Sequence, residues 1–203
     1  MVDFHQLKAE LRELLRYVPD HVSPATFWSR SLLWLLFLVW GLRLMWMDYR
    51  TGGVGESFLH GPLLVFHEAG HVLFRLFGEF VTVLGGTLAQ LLMPMIMAVA
   101  LLMRNRDTFA AAIGMWFFGV SVLDVAPYVY DARHPQLILL GGHTGEEGGH
   151  DWIYLLSEVG LREHAQTLGW LTHKAGALVV LAALGWGGWI LLQLRSRIAA
   201  NQS

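Results

Sequence analysis

His67, Glu68 and His71 combine types and spacing suited to metal-assisted chemistry, in the order His-Glu-Ala-Gly-His. On a helix, residues four apart share a face, so His67 and His71 can hold one zinc ion together. Glu68 then lies beside the metal, where a carboxylate can take a proton from water. The flanks are apolar, Gly61-Pro62-Leu63-Leu64-Val65-Phe66 before and Val72-Leu73-Phe74 after. An ionisable group at membrane depth costs about 2.5–3.5 kcal/mol on insertion scales, so three polar groups in such a run argue for a use. The competing reading is a polar patch turned to a partner helix.

Catalytic zinc has three protein ligands and one open position, so a third ligand is required. Cysteine is absent from the chain, which leaves His, Asp and Glu. Asp124 is the first candidate, deep in the apolar run Val120-Ser121-Val122-Leu123-Asp124-Val125-Ala126-Pro127. A metal would offset the cost of its charge, and Pro127 can loosen the helix so that the carboxylate turns to a neighbour. The alternative is an aspartate paired with Arg75 or with backbone. His150 and Asp151 are rivals, in a glycine-rich segment at 141–151 that could fold back over the site. His143, Glu146 and Glu147 of that segment read as solvated. His60 precedes His67 by seven residues and shares its face, as a histidine at the membrane boundary. Asp131 stands at the end of its run.

The elements that must position these groups are membrane helices. Of 203 residues 55% are hydrophobic and 15% charged, against about 25% charged in soluble domains. Nine Trp fit membrane interfaces. No basic cluster points to nucleic acid. The expected fold is an all-α polytopic membrane protein. Residues 1–22 form an amphipathic helix with Phe4, Leu7, Leu11, Leu14, Leu15 and Val18 on one face, suited to a membrane surface or to packing on a partner. Five apolar runs follow at about 31–47, 59–78, 80–103, 108–130 and 175–194. The membrane core spans 27–130. Residues 131–174 form a polar segment with a short amphipathic helix, and 175–203 the last span and tail. Gly78-Glu79-Phe80 leaves so little room that a tight hairpin, re-entrant or strand-like near 79–86, is expected. Gly85-Gly86 would shape a cavity or allow close helix packing. Eight against six basic residues set the N-terminus on the cytoplasmic side of an inner (cytoplasmic) membrane.

The HExxH helix, the Gly-Gly segment opening the next span and Leu123-Asp124 in a later span together resemble the site-2 protease-like intramembrane zinc metalloproteases. The resemblance covers about residues 59–130. It implies that His67, His71 and Asp124 hold zinc and that Glu68 activates water. Gly85, Gly86 and Gln90 would bind substrate, with Gln90 near the place of a family asparagine; Val125 stands where the family commonly has glycine. The implied function is a zinc metalloendopeptidase acting on a transmembrane or membrane-associated peptide in the lipid bilayer. An extended substrate is expected to pair with an edge near Val81–Leu84. The rival functions are a non-catalytic metal-binding or transport protein and a pseudoprotease subunit.

Overall fold

Ser23 and Pro24 start the first long helix. Ser23 Oγ accepts from the Thr26 N–H at 3.1 Å, and Pro24 occupies a first-turn position that needs no N–H. This computed structural model describes residues 4–20 and 22–200, and every regular element among them is helical. The order is α1 (Phe4–Arg16), α2 (Pro24–Trp46), α3 (His60–Leu73), α4 (Glu79–Asn105), α5 (Thr108–Asp131), α6 (Asp151–Glu158) and α7 (Ala165–Ala200), linked by short 3-10 turns and loops.

Four helices, α2, α4, α5 and α7, are long and apolar enough to cross a membrane. The expected second span is a shorter element. α3 has 14 residues, about 21 Å at 1.5 Å per residue, against about 30 Å of hydrocarbon. Leu73 ends it, and a 3-10 turn leads to Gly78, whose φ of 91° and ψ of 167° suit glycine alone.

The hairpin near 79–86 is absent: α4 runs unbroken from Glu79, and Val81, Thr82, Val83 and Leu84 are helical. Two causes outweigh their β-branched preference. In an apolar setting a helix satisfies its backbone within one segment. Glu79 also sits favourably in the first turn, beside the positive end of the helix dipole.

α5 forms the axis of the bundle. Trp116, Val120, Leu123 and Ala126 are fully covered. α7 lies along it through small residues: a Cβ on Gly119 would meet Val180 at 2.8 Å, and one on Gly176 the Leu123 backbone nitrogen at 2.8 Å. α4 packs on α5 with Gly114 against Ala98, and α3 packs on α4. Arg30 of α2 donates to Asp107 at 2.8 Å, and Asp107 caps α5 through the Ala110 N–H at 3.0 Å. Leu32, Leu36, Ile96, Leu178 and Leu192 are left exposed on the outside, as suits lipid-facing helices.

The expected N-terminal amphipathic helix is α1, with Phe4, Leu7, Leu11 and Leu15 exposed; Met1, Val2 and Asp3 lie outside the described residues. Trp186 of α7 donates to the Leu15 carbonyl at 3.0 Å and Arg197 to that of Val18 at 2.6 Å. The polar segment is shorter than the sequence suggests. α6 ends at Glu158, Gly160 turns the chain with φ 69°, and α7 begins at Ala165, ten residues before the apolar run.

Candidate metal centre

α3 and α4 approach closely because glycines face each other. A Cβ on Gly70 would collide with the Gly85 carbonyl, and one on Gly85 would lie 2.6 Å from Phe74 Cβ. This approach sets His67 and His71 of α3 against Thr82, Gly86 and Gln90, which are four residues apart on α4. The two imidazole rings stand edge to face, 4.9 Å between centroids.

Each ring has its Nδ1 fixed by an acceptor. His71 Nδ1 lies 3.0 Å from the Thr82 carbonyl, which can only accept, so Nδ1 carries the proton. His67 Nδ1 lies 3.0 Å from Gln90 Oε1. The Gln90 amide has a defined direction, because its Nε2 donates to Asp124 Oδ2 at 2.9 Å. Ser121 Oγ donates to the Gln90 carbonyl at 2.9 Å and steadies the same turn of α4. His67 therefore also carries its proton on Nδ1. With both rings neutral, as metal ligation requires, each presents an Nε2 lone pair, and both Nε2 atoms face one carboxylate oxygen. Asp151 Oδ2 lies 2.8 Å from His67 Nε2 and 3.2 Å from His71 Nε2.

An acceptor facing two acceptors is unfavourable unless a cation or a proton lies among them. Ligands about 2.05 Å from a tetrahedral ion stand about 3.3 Å apart; the His71 Nε2 to Asp151 Oδ2 distance of 3.2 Å is near this, and the His67 distance of 2.8 Å is shorter. The pattern of imidazoles that donate their outer N–H to a carbonyl and a side-chain amide is the usual support for metal-ligating histidine. Gly86 leaves the necessary room. A Cβ there would stand 2.7 Å from each Nε2. Glu68 is exposed toward the cavity, with its carboxylate within 4.8 Å of the histidine nitrogens. His67, Glu68 and His71 thus form a potential metal-holding cluster, as the spacing on α3 implies.

Asp151 comes from the first turn of α6 and is held from behind. Its N–H donates to Tyr128 Oη at 3.0 Å. His150 caps α6 by accepting from the Ile153 N–H at 3.3 Å through Nδ1. Its Nε2 is then the donor to Asp131 Oδ2 at 3.3 Å, and its ring packs on Tyr128 at 4.2 Å. Asp131 Oδ1 accepts the N–H groups of Gln136 and Leu137 at 2.7 and 3.2 Å.

These contacts revise several expectations. Asp124 does not face the two Nε2 atoms; it stands behind His67, joined to it through Gln90. Its carboxylate meets His60 Nδ1 at 3.0 and 3.1 Å rather than Arg75, which is exposed beyond α3. Asp151, a rival on sequence grounds, is the carboxylate that faces both Nε2 atoms. His150 is turned away and committed to Asp131. Asp131 is a buried acceptor of three hydrogen bonds, not an idle residue at a helix end. Gly85 and Gly86 are buried, the first serving helix contact and the second giving room to the histidines. Gln90 borders the cavity, but both ends of its amide are occupied. Glu146 and Glu147 are exposed, as expected, while His143 is half-buried with Nδ1 on the Thr144 carbonyl at 3.0 Å.

Sequence reasoning missed the Thr82 carbonyl, Tyr128, and His60 as the partner of Asp124. A backbone acceptor leaves no mark in side-chain pattern. The seven-residue step from His60 to His67 was a usable signal, since it placed both on one face of α3. So was the spacing of Ser121, Asp124, Tyr128 and Asp131 on α5.

The cluster opens on a cavity of about 760 Å³, with His60, Leu64, His67, Glu68 and His71 on one wall and residues 137–141 among those on the other. No protein-family model, no curated protein and no solved structure matches the chain.

Proposed function

We propose that the chain is a membrane-embedded zinc metalloendopeptidase, with chemistry of the site-2 protease-like kind and a different third ligand. The observation that carries this reading is the convergence of the two Nε2 atoms, each with its Nδ1 held by an acceptor, and the Asp151 carboxylate on one point, with Glu68 beside it. Three ligands of this kind, two imidazoles and a carboxylate, form a common catalytic zinc set. His67, His71 and Asp151 are assigned as ligands, and Gln90, Thr82 and Asp124 as the groups that orient them. Zinc bound there would polarise the scissile carbonyl and bring the pKa of water toward 7.

Glu68 is free to act on the water because no hydrogen bond occupies its carboxylate among the described residues. It accepts the proton of the attacking water and passes it to the departing amine. The apolar wall at 137–140 and the lipid-facing exterior suit a substrate drawn from a membrane-associated or transmembrane peptide.

The test is metal content and turnover measured on the same preparations. Wild type should carry about one zinc per chain, as a three-ligand site implies. His67→Ala and His71→Ala should lose it. Glu68→Gln should keep the zinc and stop cleavage of a co-expressed single-span membrane protein. Normal cleavage by Glu68→Gln rules out its role as base, and zinc retained without Glu68-dependent cleavage marks a metal-binding protein instead.

A further inference from the structure

The four long helices alternate in direction, so α2 and α5 start, and α4 and α7 end, at one end of the bundle. Arg30 of α2 pairs with Asp107 at 2.8 Å there, and Arg197 of α7 donates to the Val18 carbonyl at 2.6 Å. α1 is tied to the same end, where Thr108 Oγ1 donates to the Tyr17 carbonyl at 2.7 Å. The metal centre belongs to the opposite end, with α3 and α6. Charge divides between the two. The α1 end carries eight basic side chains against four acidic ones among the described residues: Lys8, Arg12 and Arg16 on α1, Arg30, Arg104 and Arg106 where α4 stops, and Arg195 and Arg197 on the last turns of α7. Arg12, Arg16, Arg104 and Arg195 are exposed and without an ion-pair partner among the described residues. The end that holds the centre carries six basic side chains against eleven acidic ones.

Exposed tryptophans mark two levels between these ends. Trp28 and Trp46 stand eighteen residues apart on α2, and Trp170 and Trp189 nineteen apart on α7, about 27–29 Å at 1.5 Å per residue. That is close to the hydrocarbon thickness of a bilayer, whose two borders favour indole. The centre is level with Trp170. A Cβ on Gly169 would stand 2.6 Å from Tyr130 Cβ, and one on Gly176 2.8 Å from the Leu123 nitrogen. The stretch of α5 with Asp124 and Tyr128 therefore lies beside the stretch of α7 with Trp170, and Tyr128 holds Asp151.

We propose that the metal centre opens at the extracytoplasmic border of the membrane, and that its substrate is the peptide segment just outside a membrane span on that side. The inference rests on the endopeptidase reading for calling that segment a substrate. Basic residues beside membrane spans stay on the cytoplasmic side, and the anionic lipids of that leaflet attract them and repel the acidic end. Phe4, Leu7, Leu11 and Leu15 let α1 lie in the same leaflet, with Lys8, Arg12 and Arg16 at its phosphates. Within the hydrocarbon a substrate backbone stays helical, whereas at the border water can satisfy an unwound one and also supplies the attacking molecule. Helix formation at Val81–Leu84 leaves no edge there for a strand-like substrate.

The chain has no cysteine, so single-cysteine variants of the full-length protein report sides directly. Glu146→Cys and Glu147→Cys mark the loop beside the centre, and Asn105→Cys and Ser196→Cys mark the other end; all four positions are exposed. In intact bacterial spheroplasts a membrane-impermeant maleimide should label the first two, and the second two only after permeabilisation. The reverse pattern overturns the proposal. The co-expressed probes are two single-span proteins with one identical segment of Gly, Ser and Val beside the span, extracytoplasmic in the first and cytoplasmic in the second. Only the first should be cut, and Glu68→Gln should abolish the cut. Cleavage of the cytoplasmic segment alone overturns the proposal even with the expected labelling. Expected labelling with neither probe cut refutes the endopeptidase reading and the substrate assignment with it, and leaves the side of the centre standing.

Discussion

Gly86→Ala separates the metal cradle from the fold. The new methyl group would stand 2.7 Å from His67 Nε2, His71 Nε2 and His71 Cε1. The rings can yield only by leaving their acceptors, Gln90 Oε1 and the Thr82 carbonyl, both at 3.0 Å. Two such bonds contribute about 2 kcal/mol together. Replacing glycine by alanine inside a helix returns about 1 kcal/mol. The metal-free protein should therefore lose only about 1 kcal/mol of stability. Metal binding should suffer far more, since loss of orienting partners alone costs about 10–100-fold in affinity and the methyl adds direct obstruction. With free zinc at about 100 times the wild-type Kd, bound metal stabilises wild type by about 2.7 kcal/mol. A Kd raised about 100-fold leaves about 0.4 kcal/mol of that. Thermal denaturation with and without zinc reads the difference directly. Gly85→Ala is the companion variant. Its methyl would meet Phe74 Cβ at 2.6 Å and the Gly70 carbonyl at 2.9 Å, so it should destabilise the metal-free protein by separating α3 from α4. A Gly86→Ala protein that keeps its full zinc-dependent stabilisation would refute the placement of the metal between the two Nε2 atoms.

Asp151→Asn should lower zinc affinity at least about 100-fold, and Asp124→Asn, acting through Gln90, about tenfold, by competition with a chromogenic chelator; the reverse order would restore Asp124 as the ligand. Asp131→Asn removes the charged acceptor of Gln136, Leu137 and His150. It should cost about 1–3 kcal/mol and quicken proteolysis within 132–150, which limited digestion would show. Chelation of zinc should raise hydrogen exchange at the start of α6 more than in α5, since Asp151 would lose its ion while the bundle core is untouched.

The potential metal-holding cluster on α3 was legible because helix periodicity sets His67, Glu68 and His71 on neighbouring positions whatever the surroundings. The four long helices were legible from length and apolar composition. α3 was overestimated, because apolar residues continue through the turn at 75–77 and composition does not register where a helix stops. The strand at 79–86 was a misreading of β-branched residues, whose preference yields when the backbone must satisfy itself within one apolar segment. The placement of Asp124 and Asp151 was the hardest part. An aspartate deep in an apolar run looks expensive without a metal, but His60 and the Gln90 amide meet that expense with hydrogen bonds. Asp151 carried no such signal, being one acidic residue among several in a glycine-rich loop.

The arrangement has a single organiser. Ser121, Asp124, Tyr128 and Asp131 lie on one face of α5, at steps of three, four and three residues. Ser121 and Asp124 steady Gln90 and, through it, His67. Tyr128 holds the Asp151 N–H, and Asp131 ties down both the start of the loop at Gln136 and Leu137 and its end at His150. One buried helix thus sets the ring of His67 inside the bundle and the approach of Asp151 from the loop. The division has a physical logic. The two histidines need rigid placement, which helix contact at glycines provides. Asp151, proposed above as the third ligand, sits on a segment attached by a few hydrogen bonds.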